Sequence, residues 1–420
     1  MRDKIMQLIP TKIKVTSLFV ICILLTISLH PLIAKEKKST PLILISIDGF
    51  RYDYIEKYQP PNLLALIKNG VRAERMIPSY PTKTFPNHIT LVTGMYPSNH
   101  GIVNNSFYDE QLDDIYKMGK AFTEPKWMQG TPLWIHAERH GVKSACYFWP
   151  ESDSILEGLA ASFSYKYNKQ TPYSERIAQT LNWLKLPKNE RPQFITSYFS
   201  LVDSKGHQFG PDSIQVKNAV LEVDKHIGVL KSRIAKELNF KVNLVIVSDH
   251  GMVEIDPKQQ IYTSDLDDFD GYIVVNGTTQ LMLYAKKSKS KTHMFGLVNK
   301  LNSQSENRYQ AFLKKDLPKN LNHFNNERIA DIIIDAHVPL IFSKKQKKTS
   351  SSKGMHGYDP YLVPEMGALF IANGPNFKSG LTIPAFENIH VFPLLNHLLE
   401  LPLPANIDGK FEVLSPTLNN

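Results

Sequence analysis

The sequence predicts an α/β protein with a mostly parallel central sheet and helices on both faces. Three observations carry this. Short apolar runs rich in β-branched residues recur at 42–47, 143–149, 194–202, 242–248 and 368–372, and continuous apolar runs mark strands buried on both faces. Segments of helical period at 62–68, 174–184 and 213–238 are interleaved with them, the pattern of crossover-wound sheets. Polar residues close the first, third and fourth runs, at Asp48, Asp203 and Asp249-His250-Gly251. In such sheets ligands gather beyond the carboxyl ends of the strands, so these three aspartates are expected on one edge.

Ahead of the fold, Arg2, Lys4, Lys12 and Lys14 precede an apolar run at 15–29, and Ala34 stands before Lys35. That order is expected of a secretory signal peptide over 1–34, leaving 35–420 as a single exported catalytic domain, periplasmic or secreted. An uncleaved anchor is the alternative and would be the sole link to a membrane, although fifteen apolar residues fall short of the roughly 20 a span needs. The helix expected at 62–68 ends in Asn69-Gly70, a C-cap signal. Lysine-rich stretches at 286–291 and 344–353 read as exposed loops that hold much of the formal charge of +9. A composition of 42% hydrophobic and 21% charged residues excludes a disordered tail, a collagen and a polytopic membrane protein. Cys22 belongs to the leader, so Cys146 alone cannot form an internal disulfide.

His250 beside Asp249, and His207 four residues after Asp203, add neutral nitrogen donors to the carboxylates. Carboxylate and imidazole suit zinc, and paired divalent ions suit phosphoryl transfer. Spacing alone leaves turn and cap roles open for each residue. In Thr82-Lys83-Thr84-Phe85-Pro86-Asn87-His88, proline suits the first turn of a helix running to Val92, placing Thr84 at or just before its N-terminus. There backbone N–H groups favour an anion, while a helix cap is the bland reading of Thr84.

Ser46-Ile47-Asp48-Gly49-Phe50-Arg51, Thr84-Phe85-Pro86-Asn87-His88, His100-Gly101-Ile102-Val103, Asp203-Ser204-Lys205-Gly206-His207, Ser248-Asp249-His250-Gly251 and Gly354-Met355-His356-Gly357 follow in order. Together they resemble the nucleotide pyrophosphatase/phosphodiesterase family of the alkaline phosphatase superfamily, and the low cysteine content resembles its bacterial-type members. The resemblance implies an alkaline-phosphatase-like fold and two Zn2+ ions. One would be held by Asp48, Asp249, His250 and the Thr84 hydroxyl, the other by Asp203, His207 and His356. It further implies Thr84 as nucleophile, a covalent threonine intermediate and Asn105 as the residue that stabilises phosphate oxygens. The implied substrate is a small nucleotide or phosphodiester, with no specific nucleic-acid partner. Phe85 and Tyr167 match the family's base-stacking pair, although they could equally be core aromatics. Trp149 and Asp153 match its nucleotide-side stretch, with Glu151 where glycine is usual, a departure expected to bring charge near the substrate. A lysophospholipid or glycerophosphodiester phosphodiesterase on the same site, and a non-catalytic exported binding protein, are the alternatives. No Cys/Ser-x-Pro-x-Arg stretch supports a sulfatase.

Overall fold

The structure is a computed structural model that describes residues 40–286, 291–344 and 352–419. The expected leader and most of both lysine-rich loops lie outside the described residues. An eight-stranded sheet organises the rest. In chain order its strands are β1 (Leu42–Ile47), β2 (Val71–Ala73), β3 (Ser144–Tyr147), β4 (Phe163–Tyr165), β5 (Phe194–Phe199), β6 (Asn243–Val247), β7 (Phe370–Asn373) and β8 (Leu381–Ile383). Across the sheet they run β8-β2-β7-β6-β1-β5-β3-β4. Every pairing is parallel except those of β7 with β2 and β6.

All six residues of β1 are buried, and they alternate between two cores. Leu42 and Leu44 pack with Leu133, Trp134, Phe392 and Leu395 on one face. Ile43, Ile45 and Ile47 pack on the other against α1 (Pro61–Lys68), α3 (Tyr173–Leu184) and α5 (Ile214–Glu237) through Leu63, Leu181 and Val220. Apolar side chains on both faces are why this strand reads as an unbroken hydrophobic run. A smaller four-stranded antiparallel sheet, spanning Tyr272–Asn276, Gln280–Ala285, Tyr309–Leu313 and Ile332–Ala336, has its own core around Leu281, Leu283 and Ile334. Among the described residues no helix is long and apolar enough to cross a membrane.

One local expectation changes and a second gains detail. The apolar run from Phe194 does not remain a strand to Val202: β5 stops at Phe199, and Leu201-Val202 begin α4 (Leu201–Phe209). Asp203 therefore sits in the first turn of a helix, and His207 lies one turn later on the same face. Asn69-Gly70 does end α1, but without a left-handed residue: Asn69 is the C-cap at φ −110° and Gly70 has no positive φ. Glycine is needed there because a Cβ would lie 2.3 Å from the Ala372 carbonyl oxygen.

Candidate active site

The loops after β1, β5 and β6 converge at the carboxyl edge of the sheet. Gly49 makes this possible: its φ is +70°, and a Cβ would approach the Asp203 Cα to 2.9 Å. That clearance lets the Asp203 amide donate to the Asp48 carbonyl at 3.0 Å. The helix α2 (Thr84–Thr93) points its N-terminus at the same place, with Lys83 at the N-cap and Thr84 as the first helical residue. Thr84 is thus not the cap; its Oγ1 lies 3.3 Å from His250 Nε2. Asn87 fixes the approach to the helix. Its Nδ2 donates to the carbonyls of Ser79, Pro81 and Lys83, and its Oδ1 accepts from the Ser79 amide at 2.8 Å.

Six side chains form two groups, Asp48 with Asp249 and His250, and Asp203 with His207 and His356. Within each group, one ligand atom per residue lies within 4.8 Å of the others. His356 arrives from a loop far along the chain, and its ring stacks on His250 with centroids 3.5 Å apart. The histidine tautomers are set by backbone. Nδ1 of His207, His250 and His356 each lies 2.8 Å from a carbonyl oxygen, of Gly354, Gly251 and Thr82 respectively. A carbonyl only accepts, so each Nδ1 carries the proton and each Nε2 presents a lone pair to the site. Among the described residues, Asp48 Oδ1, Asp203 Oδ1 and Asp249 Oδ2 are buried without a hydrogen-bond partner. Three orphaned carboxylate oxygens facing three imidazole lone pairs fit divalent cations and little else, since buried charge needs a partner.

The electrostatics agree. Burial, then repulsion from Asp249 and Asp203, pushes the Asp48 carboxyl well above its ordinary range. Asp249 is held at about 2 despite its burial, because His250 and His88 face it. Burial, then His250 and His207, pushes the His356 imidazole far down, which keeps it neutral and able to ligate.

The remaining predicted residues separate. Asn105 Oδ1 accepts from the Phe85 amide at 2.9 Å, which leaves its Nδ2 free to donate beside the helix N-terminus. Phe85 is half-buried against the cluster containing Ile89 and Trp127. Tyr167 is 42% exposed and stands edge-on to Phe148 and Tyr198, so it is not a core aromatic. Asp153 is half-buried opposite Lys166, with Oδ1 unpartnered among the described residues. Trp149 is 2% exposed, its ring stands edge-on to His88, and its indole N–H donates to the His88 carbonyl.

Glu151 differs from expectation. It is fully buried, accepts from the Tyr116 hydroxyl, and adopts φ +61°, the left-handed conformation that favours glycine. Its charge does not face a substrate. Burial pushes its carboxyl up to about 7, against the opposing pull of Tyr116. A folded-state acid raised above its unfolded value binds the extra proton when folded, so stability falls as pH rises from about 4.5 to about 7. Glu151→Gln should flatten that fall relative to the parent protein, by up to about 3 kcal/mol, as read from urea midpoints at pH 5 and pH 7.5.

Sequence reasoning gave no role to Tyr198, Asn87 or His88. The latter two were visible inside a motif already singled out. Tyr198 gave no signal beyond a polar tip on a strand that also holds Thr196 and Ser197.

An alkaline-phosphatase-like α/β fold carrying two carboxylate–histidine clusters and a hydroxyl at a helix N-terminus defines the class of protein. Residues 42–359 match the family described as type I phosphodiesterase / nucleotide pyrophosphatase, and the chain belongs to that family. It is similar to venom phosphodiesterase of Macrovipera lebetinus, 36% identical over 393 residues that cover 91% of this chain and 46% of that protein. It is also similar to human ectonucleotide pyrophosphatase/phosphodiesterase family member 1, 37% identical over 91% of this chain and 42% of that one. The chain thus spans less than half the length of these curated relatives. Among solved structures it resembles an inactive threonine-to-alanine variant of murine ectonucleotide pyrophosphatase/phosphodiesterase 5 in complex with AMP. That match has a TM-score of 0.82 and 28% identity, and covers 90% of this chain and all of that one.

Proposed function

We propose that this chain is an exported, two-zinc phosphodiesterase/nucleotide pyrophosphatase that works through a covalent threonine intermediate and releases nucleoside 5′-monophosphate. The convergence of three orphaned carboxylate oxygens and three imidazole lone pairs beside Thr84 Oγ1 carries the reading. Asp48, Asp249 and His250 would hold one cation with Thr84 beside it, and Asp203, His207 and His356 the other. Such cations, when bound, supply Lewis acidity and make a hydroxyl or water nucleophilic near neutral pH. Thr84 Oγ1 gives up its proton and forms a bond to phosphorus as the bond to the leaving oxygen breaks, the leaving oxygen taking up a proton in turn. Asn105 Nδ2 would face the non-bridging oxygens, its Oδ1 being held by the Phe85 amide. Water then cleaves the Oγ1–P bond, returning the threonine hydroxyl and releasing the monophosphate. The names of the relatives support the substrate class, an AMP complex supports nucleotide binding, and the inactivity of a threonine-to-alanine relative supports the nucleophile. Export rests on the predicted leader and on relatives named as ectoenzymes and venom enzymes.

Zinc analysis of the purified protein together with hydrolysis of p-nitrophenyl thymidine 5′-monophosphate tests the proposal. Two zinc ions per chain and release of thymidine monophosphate are expected. Metal-free, inactive protein would make it a binding protein of the same fold. For the base-stacking role, Phe85→Ala should raise KM about tenfold, since base–aromatic stacking contributes about 1–3 kcal/mol, with kcat little changed. An unchanged KM, with lysophosphatidylcholine preferred over nucleotides, would move the substrate class to lipids.

A further inference from the structure

We propose that Tyr198 is a positioning residue that aims Asp48 at its cation and couples that carboxylate to the wall on which Tyr167 rests; the inference depends on the metal reading above. Tyr198 stands near the carboxyl end of β5, directly opposite Ser46 of β1. Its hydroxyl donates to Asp48 Oδ2. With a cation bound, the Asp48 carboxylate is ionised and only accepts, so the direction of this bond is fixed. Once Oδ2 is engaged, Oδ1 is the oxygen left without a partner, 3.5 Å from His250 Nε2. Asp249 follows the same pattern, with Oδ1 accepting from the Gly49 amide at 3.1 Å and Oδ2 left free. Each carboxylate of this cluster is therefore anchored by one oxygen and offered by the other. Anchors of this kind set a ligand's orientation and basicity.

The ring of Tyr198 does a second job. It stands edge-on to His88, with centroids 5.3 Å apart, and to Tyr167 at 6.0 Å. His88 Nδ1 lies 2.8 Å from the Thr84 carbonyl and 3.4 Å from Asp249 Oδ2. One phenol thus touches a cation ligand at its tip, the side chain beneath the nucleophile on one flank and the exposed stacking tyrosine on another. Its backbone is fixed in turn, because the buried Arg176 guanidinium donates to the Tyr198 carbonyl.

The test uses the full zinc-loaded protein. Tyr198→Phe keeps the ring and removes the hydroxyl, and the zinc dissociation constant is read by competition with a chromophoric chelator. A rise of about 10–100-fold is expected for one of the two ions, with KM for p-nitrophenyl thymidine 5′-monophosphate unchanged at saturating zinc. Tyr198→Leu should show the same zinc loss together with a raised KM, because Tyr167 loses its backing. Tyr58→Phe, which removes a buried hydroxyl that donates to the Pro211 carbonyl and to no residue of either cluster, should leave zinc affinity as it was. Zinc affinity in Tyr198→Phe equal to that of the parent overturns the anchoring role, and an unchanged KM in Tyr198→Leu overturns the coupling to Tyr167. A parent protein that takes up no zinc overturns the metal reading itself, a result distinct from both.

Discussion

Thr84→Ala is expected to lower turnover of p-nitrophenyl thymidine 5′-monophosphate by about 10⁴-fold or more, the scale on which loss of a covalent nucleophile is felt, while both zinc ions stay bound. Thr84 Oγ1 approaches the first cluster, 3.3 Å from His250 Nε2, and its removal leaves all six carboxylate and imidazole donors in place. Helical structure should also persist, since alanine is favourable in a helix and Thr84 supplies no side-chain cap to α2. Thr84→Ser should recover part of the rate, because an oxygen remains on the same backbone. Metal analysis beside a rapid-mixing assay separates the outcomes. Normal turnover by Thr84→Ala would end the covalent mechanism, whereas loss of zinc along with activity would mean that the hydroxyl is mainly a ligand.

The second large effect concerns Asp249. It is wholly buried, with Oδ1 held by the Gly49 amide and Oδ2 turned into the first cluster. Asp249→Asn keeps the shape and deletes the charge, so the first cation is expected to be lost and activity to fall by about 10³-fold or more, since a metal supplies several kcal/mol of charge stabilisation in such chemistry. Stability gives an independent reading. In the parent, free zinc at 100 times its dissociation constant should add about 2.7 kcal/mol per bound ion to the folded state over chelated protein. In Asp249→Asn that difference should shrink, because one of the two ions no longer binds. Thermal unfolding with and without chelator measures it, and an undiminished shift would remove Asp249 from the ligand set.

The five adjacent strands β7-β6-β1-β5-β3 were legible because they are buried on both faces and so lack polar alternation. The short flanking strands β2, β4 and β8, with partly or fully exposed positions, gave no such run. The same cue misled at Leu201-Val202, where the apolar run continues into the first turn of a helix, and run length alone cannot tell the two apart. The clusters were only half legible. Aspartates at strand ends and a histidine four residues on suggest donors, but His356 comes from a loop whose approach is set by the Thr82 carbonyl and the His250 ring, contacts without a local trace. Glu151 was misjudged because its neighbourhood is tertiary: Tyr116 lies 35 residues away in sequence, and the left-handed backbone leaves no mark on the side chain present. Trp149 matched a motif, and its indole N–H goes to the His88 carbonyl.

Gly49 brings no atom of its own to a substrate, yet the Asp203 backbone occupies the space where any side chain would go. In a survey of every single substitution, position 49 should therefore be as intolerant as the ligands on either side of the gap. Ranking residues by mutational sensitivity would then place a glycine among the proposed cation ligands. What selection would be preserving at that position is a distance between two loops, and the vulnerability of the site extends to a residue with no chemistry to lose.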